Sequence, residues 1–220
     1  MLNLVLIDGN SLLNRAFYAT KHLTTKSGIP TNAVFGFTKL LLKIIGDIKP
    51  DRLIVTFDLK APTFRHKMYE GYKATRKPMP DDLAAQLGML KSLLQSMRIA
   101  MCEKAGYEAD DLIGTLSHKF EGVKSIVITG DRDSYQLIDE RTDVYLTKTG
   151  VSDLLKLNKD NFQSIIGYAP EQVIEMKALM GDSSDNIPGV AGIGEKTALS
   201  LVTQFGSLDG VYSNLDSLPS

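Results

Sequence analysis

The sequence predicts an α/β fold in which a mostly parallel sheet is flanked by helices. Three short apolar segments, LNLVLID, RLIVTFD and SIVITGD, are rich in β-branched residues and end at Asp8, Asp58 and Asp131. Continuous apolar segments of this length are typical of strands that are buried on both faces of a parallel sheet. Helical patterns lie between them, and strands that alternate with helices predict right-handed crossovers in a doubly wound sheet.

The other elements follow from the spacing of apolar residues. Recurrence at intervals of three and four predicts helices, and short continuous apolar runs predict strands. In chain order these patterns give helices over 32–48 and 81–97, a weaker strand over 98–104, a hairpin over 143–157, and helices over 158–166, 170–180 and up to Gly206. The hairpin is expected to turn at Thr149-Gly150.

Composition limits the class of protein. The chain has 220 residues, is 43% hydrophobic and carries a formal net charge of -1, which allows one large core but excludes a simple polycation. Its one cysteine, Cys102, excludes an internal disulfide and fits a reducing compartment. The apolar N-terminal run is too short for a signal peptide, and no later segment approaches a membrane span. We therefore expect a cytoplasmic protein with no membrane partner.

Carboxylates are predicted to meet at one edge of the sheet. Parallel strands share the edge at which their carboxyl ends lie, and ligands of open α/β sheets bind there. A single acidic residue after a strand is usually a helix cap, and GYEADDLIG taken alone reads as a helix start. Several strands that end in acids favour a shared site instead. The candidate acids are Asp8, Asp58, Glu108, Asp110, Asp111, Asp131, Asp133, Asp182 and Asp185.

Such a group of acids predicts bound cations. Two like charges about 4 Å apart repel by about 4 kcal/mol at an effective dielectric constant near 20, so some acids must be protonated or neutralised. Carboxylate oxygens favour Mg²⁺ or Mn²⁺, whereas the three histidines are scattered and give no zinc pattern. Sites with paired metal ions of this kind support in-line displacement at phosphorus.

A basic segment follows the second predicted strand. Residues 60–79 contain six Lys or Arg against one acid, with Phe64, Tyr69 and Tyr72 interleaved. Such a segment is often only a solvated helix face. Because it directly follows Asp58, we favour a role in gripping phosphates and stacking unpaired bases.

A glycine-rich turn lies near the end of the chain. PGVAGIGEKTA (188–198) nearly matches a phosphate-binding P-loop, but Glu195 separates Gly194 from Lys196, and no buried strand precedes it. A helix–hairpin–helix turn fits better, since glycines allow backbone N–H groups to approach a DNA phosphate. A plain interhelical turn is the alternative.

Together these motifs carry a resemblance. LVLIDGNSLLNRAFYA, FDLKAPTFRHKMYEGYKATRKPMPDDL, YEADDLIG, ITGDRDSYQL and GDSSDNIPGVAGIGEKTA resemble the 5′-nuclease domain of bacterial DNA polymerase I, within the flap endonuclease family. The resemblance implies a PIN-like fold with a helical arch. It also implies a nuclease core over 1–155, with the arch near 60–80, and a helical DNA-binding region over 156–220. That second region would contain a helix–three-turn–helix and would be truncated, because the family domain usually runs some tens of residues further. The resemblance also implies a bacterial protein, expected to be a monomer.

The resemblance also implies roles for residues. The nine acids look like two groups of metal ligands, in which Asp111 and Asp185 act through water or through other ligands. Lys73 and Arg76 match the basic pair that supports the scissile phosphate during catalysis. The implied DNA-binding residues are Arg15, Arg65, Tyr72, Gly192, Gly194 and Lys196. Two or more Mg²⁺ or Mn²⁺ ions are expected, with K⁺ as a candidate at the helix–three-turn–helix.

The expected activity is cleavage of 5′ flaps or nicked 5′ ends on branched DNA by a two-metal mechanism. The protein would be fused to, or cooperate with, a DNA polymerase in replication and repair. A DNA-binding module without turnover and a PIN-type ribonuclease remain alternatives. A small-molecule phosphatase would need an Asp where Asn10 stands.

Overall fold

The computed structural model describes residues 2–148, 150 and 153–217. Internal contacts divide the chain into two compact units. The sheet unit comprises the chain up to Phe64 together with Pro78–Asn158, and the helical unit comprises Arg65–Lys77 together with the chain from Lys159 onward. Most of the basic segment therefore belongs to the helical unit, while the domain boundary expected at residue 155 stays a prediction.

The sheet unit alternates strands and helices, as the sequence predicts. Its strands are β1 (Leu2–Asp8), β2 (Arg52–Thr56), β3 (Ala100–Cys102), β4 (Val123–Thr129), β5 (Thr142–Thr147) and β6 (Leu154–Leu157). Its helices are α1 (Gly9–Ala19), α2 (Asn32–Ile48), α4 (Asp81–Ser96) and α5 (Ala109–Lys119), while the short α3 (Phe64–Met68) begins here and continues into the helical unit. A 3₁₀ segment, Arg132–Leu137, follows β4.

The six strands form one sheet in the order β3-β2-β1-β4-β5-β6. All neighbours are parallel except β5 and β6, which form the predicted antiparallel hairpin. The chain leaves β1 toward β2 and β3, and later continues from β4 to β5 on the other side. The order thus reverses between β1 and β4, which is where open α/β sheets bind ligands.

Burial explains why the strands are continuously apolar. In β1 every residue from Leu4 to Asp8 is buried, and alternate side chains face opposite sides of the sheet. Val5 and Ile7 pack in a core cluster with residues of α1, α2 and α4, whereas α5 contacts β1, β2 and β4 without contributing to that cluster. Helices therefore cover both faces.

Helix α2 begins on a partner distant in sequence. The fully buried Gln86 of α4 accepts hydrogen bonds from the N–H groups of Ala33 and Val34 at 2.7 and 3.2 Å. Its amide nitrogen donates to Asn32 Oδ1 at 3.1 Å. Thr31, at the N-cap, makes no side-chain capping bond, so Gln86 satisfies N–H groups that the helix itself leaves unbonded.

The helical unit has its own core. It contains α6 (Lys159–Ile166), α7 (Val173–Met180), α8 (Glu195–Phe205), α9 (Leu208–Tyr212) and the short antiparallel pair β7 (Gly181–Asp182) and β8 (Ile187–Pro188). Met176, Leu201 and Val202 lie in its buried cluster.

Three details differ from the sequence predictions or fall outside the described residues. Strands β2 and β4 end two residues before Asp58 and Asp131, which therefore lie in the loops that follow. The predicted arch contains one helix of five residues, α3, followed by turns. Thr149, at the predicted hairpin turn, lies outside the described residues.

Among the described residues no helix is long and apolar enough to cross a membrane.

Candidate active site at the carboxyl edge of the sheet

Asp8 stands at the point where the strand order reverses. It is the last residue of β1 and the N-cap of α1, and its Oδ1 accepts a hydrogen bond from Ser11 N at 2.9 Å. Its Oδ2 accepts from Thr129 Oγ1, at the end of β4, at 3.0 Å. Asp8 is only 5% exposed, so a charged group is held inside the sheet edge by two hydrogen bonds.

The loop after β2 brings Asp58 to the same edge. Asp58 Oδ1 accepts from Ala109 N, the first residue of α5, at 2.7 Å, and its own N–H donates to Asn10 Oδ1 at 2.9 Å. Asp58 therefore links the starts of α1 and α5. From the sequence Asn10 served only as evidence against a phosphatase, and its hydrogen bond with Asp58 was not predicted.

The loop after β4 carries Asp131 and Asp133. Thr129 Oγ1 accepts from Asp131 N at 3.0 Å, and Asp131 Oδ1 accepts from Asp133 N at 2.9 Å. Ser11 Oγ accepts from Gly130 N at 3.0 Å. Ser11 and Thr129 are thus site residues that the sequence analysis did not single out, because a hydroxyl after a strand gives no distinctive pattern.

The acids of GYEADDLIG divide between two tasks. Asp111 Oδ2 accepts from Glu108 N at 2.8 Å in a capping box at the start of α5, so the helix-start interpretation is correct for Asp111. Asp110 instead lies within electrostatic reach of Asp8, Asp58, Asp131 and Asp133. Its Oδ1 is buried and has no hydrogen-bond partner among the residues that the structure describes.

The pKa values of Asp8 and Asp110 reflect the proximity of these carboxylates. Burial raises the pKa of Asp8 to about 6, with further increases from the charges of Asp58 and Asp131, against the lowering effect of its hydrogen bonds from Ser11 and Thr129. Burial, followed by the charges of Asp8 and three other acids, raises the pKa of Asp110 well above its ordinary range. The acids at this edge therefore oppose one another's ionisation.

This carboxylate cluster (Asp8, Asp58, Asp110, Asp131 and Asp133) is close but not a formed coordination shell. Over residues 2–148, 150 and 153–217, no three His, Cys, Asp or Glu side chains are arranged to hold one metal ion directly. The oxygens of these acids still suit a hard cation. Asp110 Oδ1 has no hydrogen-bond donor among the described residues, and a bound cation would offset the burial and the neighbouring charges that raise the pKa of Asp8. Mg²⁺ keeps several of its waters and needs only one or two direct carboxylates.

The other two predicted ligands lie in the helical unit. Asp182 Oδ2 accepts from Lys177 Nζ at 2.8 Å, and its Oδ1 accepts from Ser184 N and Oγ at 2.8 and 2.6 Å. Partial burial would raise the pKa of Asp182, but the bonds from Lys177 and Ser184 outweigh it and lower the pKa to about 2. Lys177 was not identified from the sequence.

Asp185 forms ion pairs with the two basic residues that are predicted to act in catalysis. Its carboxylate pairs with Arg76, and with Lys73 Nζ at 3.9 Å. The backbone adds contacts, since Lys73 N donates to Asp185 O at 2.9 Å and Asn186 Nδ2 donates to Gly71 O at 2.8 Å. Lys73 has a φ of 56°, in the left-handed region, so this tie holds the basic segment in an uncommon backbone shape.

The remaining predicted DNA-binding residues differ in accessibility. Tyr72 is 5% exposed, with its ring packed against His66, and in this conformation it offers no open face to a base. Arg15 is partly buried, and its Nε donates to Gly150 O at 2.9 Å. Arg65, in α3, is also partly buried.

The glycine-rich turn precedes α8 and is open to solvent. Gly192 has a φ of 81°, Gly194 is the N-cap of α8, and both they and Lys196 are exposed. Gly189 has a structural reason instead, because a Cβ there would lie 2.2 Å from the backbone of Met180. The resemblance of this stretch to a P-loop is therefore fortuitous.

Comparison with known families accounts for both parts of the chain. Residues 3–167 match the model of the 5′-3′ exonuclease N-terminal resolvase-like domain, and residues 168–220 match that of the 5′-3′ exonuclease C-terminal SAM fold. The chain belongs to the 5′-3′ exonuclease family. The expected resemblance is confirmed, and with it the PIN-like sheet flanked by helices and the assignment to a family of nucleases.

Relatives of this exonuclease chain are much longer proteins. It is 45% identical to DNA polymerase I of Caldicellulosiruptor bescii over 100% of its own length and 26% of the relative. It is 43% identical to DNA polymerase I of Bacillus subtilis over 98% of its own length and 25% of the relative. The chain therefore spans about a quarter of the curated relatives that it matches.

Solved structures share the fold of the exonuclease chain. A T5 5′-exonuclease with bound zinc has a TM-score of 0.76 at 24% identity and covers 99% of this chain and 80% of its own. The catalytic core of Rad2 in complex with DNA substrate has a TM-score of 0.60 at 16% identity and covers 98% of this chain and 66% of its own. At these identities the likeness concerns the fold.

Proposed function

We propose that this chain is a divalent-metal-dependent, structure-specific 5′-nuclease that hydrolyses DNA phosphodiesters at 5′ flaps or nicked 5′ ends. The observation that carries the proposal is the carboxylate cluster, in which the carboxyl ends of separate strands and the start of α5 bring buried and partly buried acids to the reversal point of the sheet. An uncompensated buried acid such as Asp110 is costly unless a cation or a proton neutralises it.

The ligands proposed for Mg²⁺ or Mn²⁺ are the nine acids that the resemblance implies. Seven belong to the sheet unit and two to the helical unit: Asp8, Asp58, Glu108, Asp110, Asp111, Asp131 and Asp133, and Asp182 and Asp185. When bound, such ions lower the pKa of water and neutralise the charge that develops on a phosphate. A two-metal mechanism is part of the proposal, as is K⁺ at the glycine-rich turn.

The chain's own residues would position these ligands and the DNA. Thr129 and Ser11 hold Asp8 by hydrogen bonds, and Ala109 N holds Asp58. Lys73 and Arg76 would support the scissile phosphate, and to do so they must exchange Asp185 for a phosphate oxygen. Lys196 and the exposed glycines before α8 would contact duplex phosphates without reading sequence.

The polymerase relatives support a biological setting for this activity. A nuclease of this kind would remove 5′ flaps or primers during replication and repair, in cooperation with a DNA polymerase. Cleavage at branched DNA rather than at any duplex end is the specific part of the proposal.

A cleavage assay tests the proposal. We expect the chain to release labelled 5′ flaps from branched DNA in Mg²⁺ and to release none in EDTA. Asp131→Ala and Asp58→Asn should abolish release while leaving flap binding largely intact, because Asn retains an oxygen for Ala109 N. Asp51→Asn is the matched control, since Asp51 precedes β2 at the opposite edge and accepts a bond from Asn3 N at 2.8 Å.

Each result has a defined meaning. Full cleavage by Asp131→Ala and by Asp58→Asn would exclude the proposed ligands. Flap binding without any Mg²⁺-dependent cleavage by the parent chain would show a binding module instead of a nuclease. Preferential cleavage of RNA over matched DNA flaps would favour the PIN-type ribonuclease.

A further inference from the structure

An exposed aromatic pair stands beside the carboxylate cluster. Phe64 and Tyr107 are 39% and 44% exposed, and their ring centroids are 6.0 Å apart with a tilt of 56° between the rings. Lys104 Nζ lies 4.9 Å from the centre of the Tyr107 ring. We call these three residues of the sheet unit the aromatic step. Two large aromatic rings left in water at a site edge are typical of a binding surface.

The backbone fixes the aromatic step in place. Phe64 N donates to Gly106 O at 3.1 Å, and Tyr107 N donates to Lys104 O at 3.3 Å. Gly106 has a φ of 85°, a turn conformation that residues with a side chain rarely adopt. The two rings therefore come from segments about 40 residues apart in sequence but joined by a main-chain hydrogen bond, so little order remains to be imposed when a ligand binds.

The aromatic step adjoins the cluster through two residues of chain. Tyr107 is followed by Glu108, the buried N-cap of α5, and then by Ala109, whose N–H binds Asp58 Oδ1 at 2.7 Å. A phosphodiester placed at the cluster would therefore have its neighbouring nucleotide within reach of the Tyr107 ring, because successive nucleotides of one strand are separated by only a few ångströms.

The position of Lys104 indicates that the aromatic step would bind a flat ring that carries a phosphate. The lysine is exposed, so the ring face that its ammonium group covers is reached from solvent. An ammonium group on an aromatic ring is held by only about 0.5–1 kcal/mol at exposed sites, so a stacking ligand can displace it. The displaced ammonium group is then available to a phosphate, which is the group that accompanies every nucleobase in a strand.

We propose that the aromatic step stacks an unpaired nucleobase next to the phosphodiester that is cleaved, while Lys104 moves from the Tyr107 ring to a neighbouring phosphate. The proposal rests on the proposed nuclease function and adds a base-binding site to it. Stacking on an aromatic ring tolerates any base, which suits an enzyme that recognises DNA structure rather than sequence.

Fluorescence of 2-aminopurine tests the stacking directly. The probe is a 5′-flap DNA with 2-aminopurine at the flap nucleotide next to the cleavage position, bound in EDTA so that it stays intact. Binding to the parent and to Tyr107→Phe should change the 2-aminopurine emission by stacking. Tyr107→Ala should lose most of this change and bind roughly 5- to 100-fold more weakly, the range for loss of one base–aromatic contact.

Phe120→Ala is the matched control. Phe120 is 42% exposed at the other end of α5, about 18 Å along the helix from Glu108 at 1.5 Å per residue. It removes a comparable exposed ring and should leave both emission and affinity unchanged. Thermal unfolding of each variant shows that Tyr107→Ala is folded.

Lys104→Gln tests the phosphate contact. The slope of log affinity against log salt should decrease by about 0.7, the value for one phosphate of a single strand. An unchanged slope would overturn the part of the proposal that concerns Lys104. An emission change in folded Tyr107→Ala equal to that of the parent would overturn the stacking.

The two proposals fail in distinguishable ways. If the parent does not cleave the unmodified flap in Mg²⁺, the nuclease function fails whatever the emission shows. If the parent cleaves and Tyr107→Ala stacks the base as the parent does, only the aromatic step is refuted.

Discussion

Replacing Asp8 with Asn should make the metal-free protein more stable at neutral pH. The pKa of Asp8 rises from its ordinary value of 3.8 to about 6 in the folded chain. This difference corresponds to roughly 3 kcal/mol, by which the folded state favours the protonated form. The folded state therefore has this advantage in full below pH 3.8, where the carboxyl is protonated, and loses it as the pH rises through about 6.

Asn removes the charge while keeping the hydrogen bonds. Its Oδ1 can still accept from Ser11 N, and its amide can donate to Thr129 Oγ1, which takes the place of the present bond to Oδ2. We expect the variant to exceed the parent by about 1–3 kcal/mol in free energy of unfolding at pH 7.5, and to equal it near pH 4.

Urea unfolding in EDTA, followed by circular dichroism at both pH values, measures this difference. Asp51→Asn serves as control and should show no gain that depends on pH. An equal gain at pH 4 and pH 7.5, or a loss at pH 7.5, would refute the reasoning, because either result would mean that burial of the charge is not what the substitution relieves.

Mg²⁺ should stabilise the parent protein more than it stabilises Asp8→Asn. A ligand that binds only the folded state stabilises it in proportion to the logarithm of its concentration over Kd. The parent should gain more in melting temperature than Asp8→Asn at the same Mg²⁺ concentration. Equal gains would show that Asp8 takes no part in ion binding.

Three further substitutions test the packing and the charges. Gln86→Leu should lower the free energy of unfolding by about 2–3 kcal/mol, because it leaves one buried and one partly buried N–H group of α2 without an acceptor. Gln95→Leu, on the exposed face of the same helix, is its control. Gly9→Ala should cost about 1–3 kcal/mol, since the new Cβ would lie 2.4 Å from Phe57 Cε1. Asp182→Asn should cost at most about 1 kcal/mol at pH 7 after allowance for solvent screening, and this cost should fall toward zero as the pH drops through about 2.

Urea titrations measure all three. The lowered pKa of Asp182 contributes stability above pH 3.8 and loses it as the pH falls through about 2, so an undiminished cost at pH 2 would contradict the ion pair with Lys177. Equal losses for the Gln86 and Gln95 variants would contradict the capping role. A neutral Gly9→Ala would mean that Phe57 moves freely.

The sheet and its acidic edge could be predicted because each rests on local patterns. Strands buried on both faces must be continuously apolar, and a polar residue at their ends is therefore conspicuous. The order β3-β2-β1-β4-β5 comes from the structure, and it places Asp8 and Asp131 on either side of the reversal point. These two acids needed no structure to be found.

Other features depend on contacts that no local pattern encodes. Asp110 and Asp111 are equivalent in a helix-start motif, and only the packing of α5 decides that Asp111 caps the helix while Asp110 faces the other acids. Gln86 caps α2 across 53 residues. Arg76 pairs with Asp185 across 109 residues, so the sequence could give both their charges and not their mutual contact.

Two hydrogen bonds join the start of α1 to the end of β4, and they bear on how a cation would bind. Thr129 Oγ1 donates to Asp8 Oδ2, and Gly130 N donates to Ser11 Oγ, so the two segments hold each other in place through protein groups. Under the proposed function, these bonds would fix the two segments before an ion binds, so that only the carboxylates themselves would have to rearrange into a coordination shell. Part of the ordering that ion binding requires would thus be completed during folding, by the hydroxyl groups of Thr129 and Ser11.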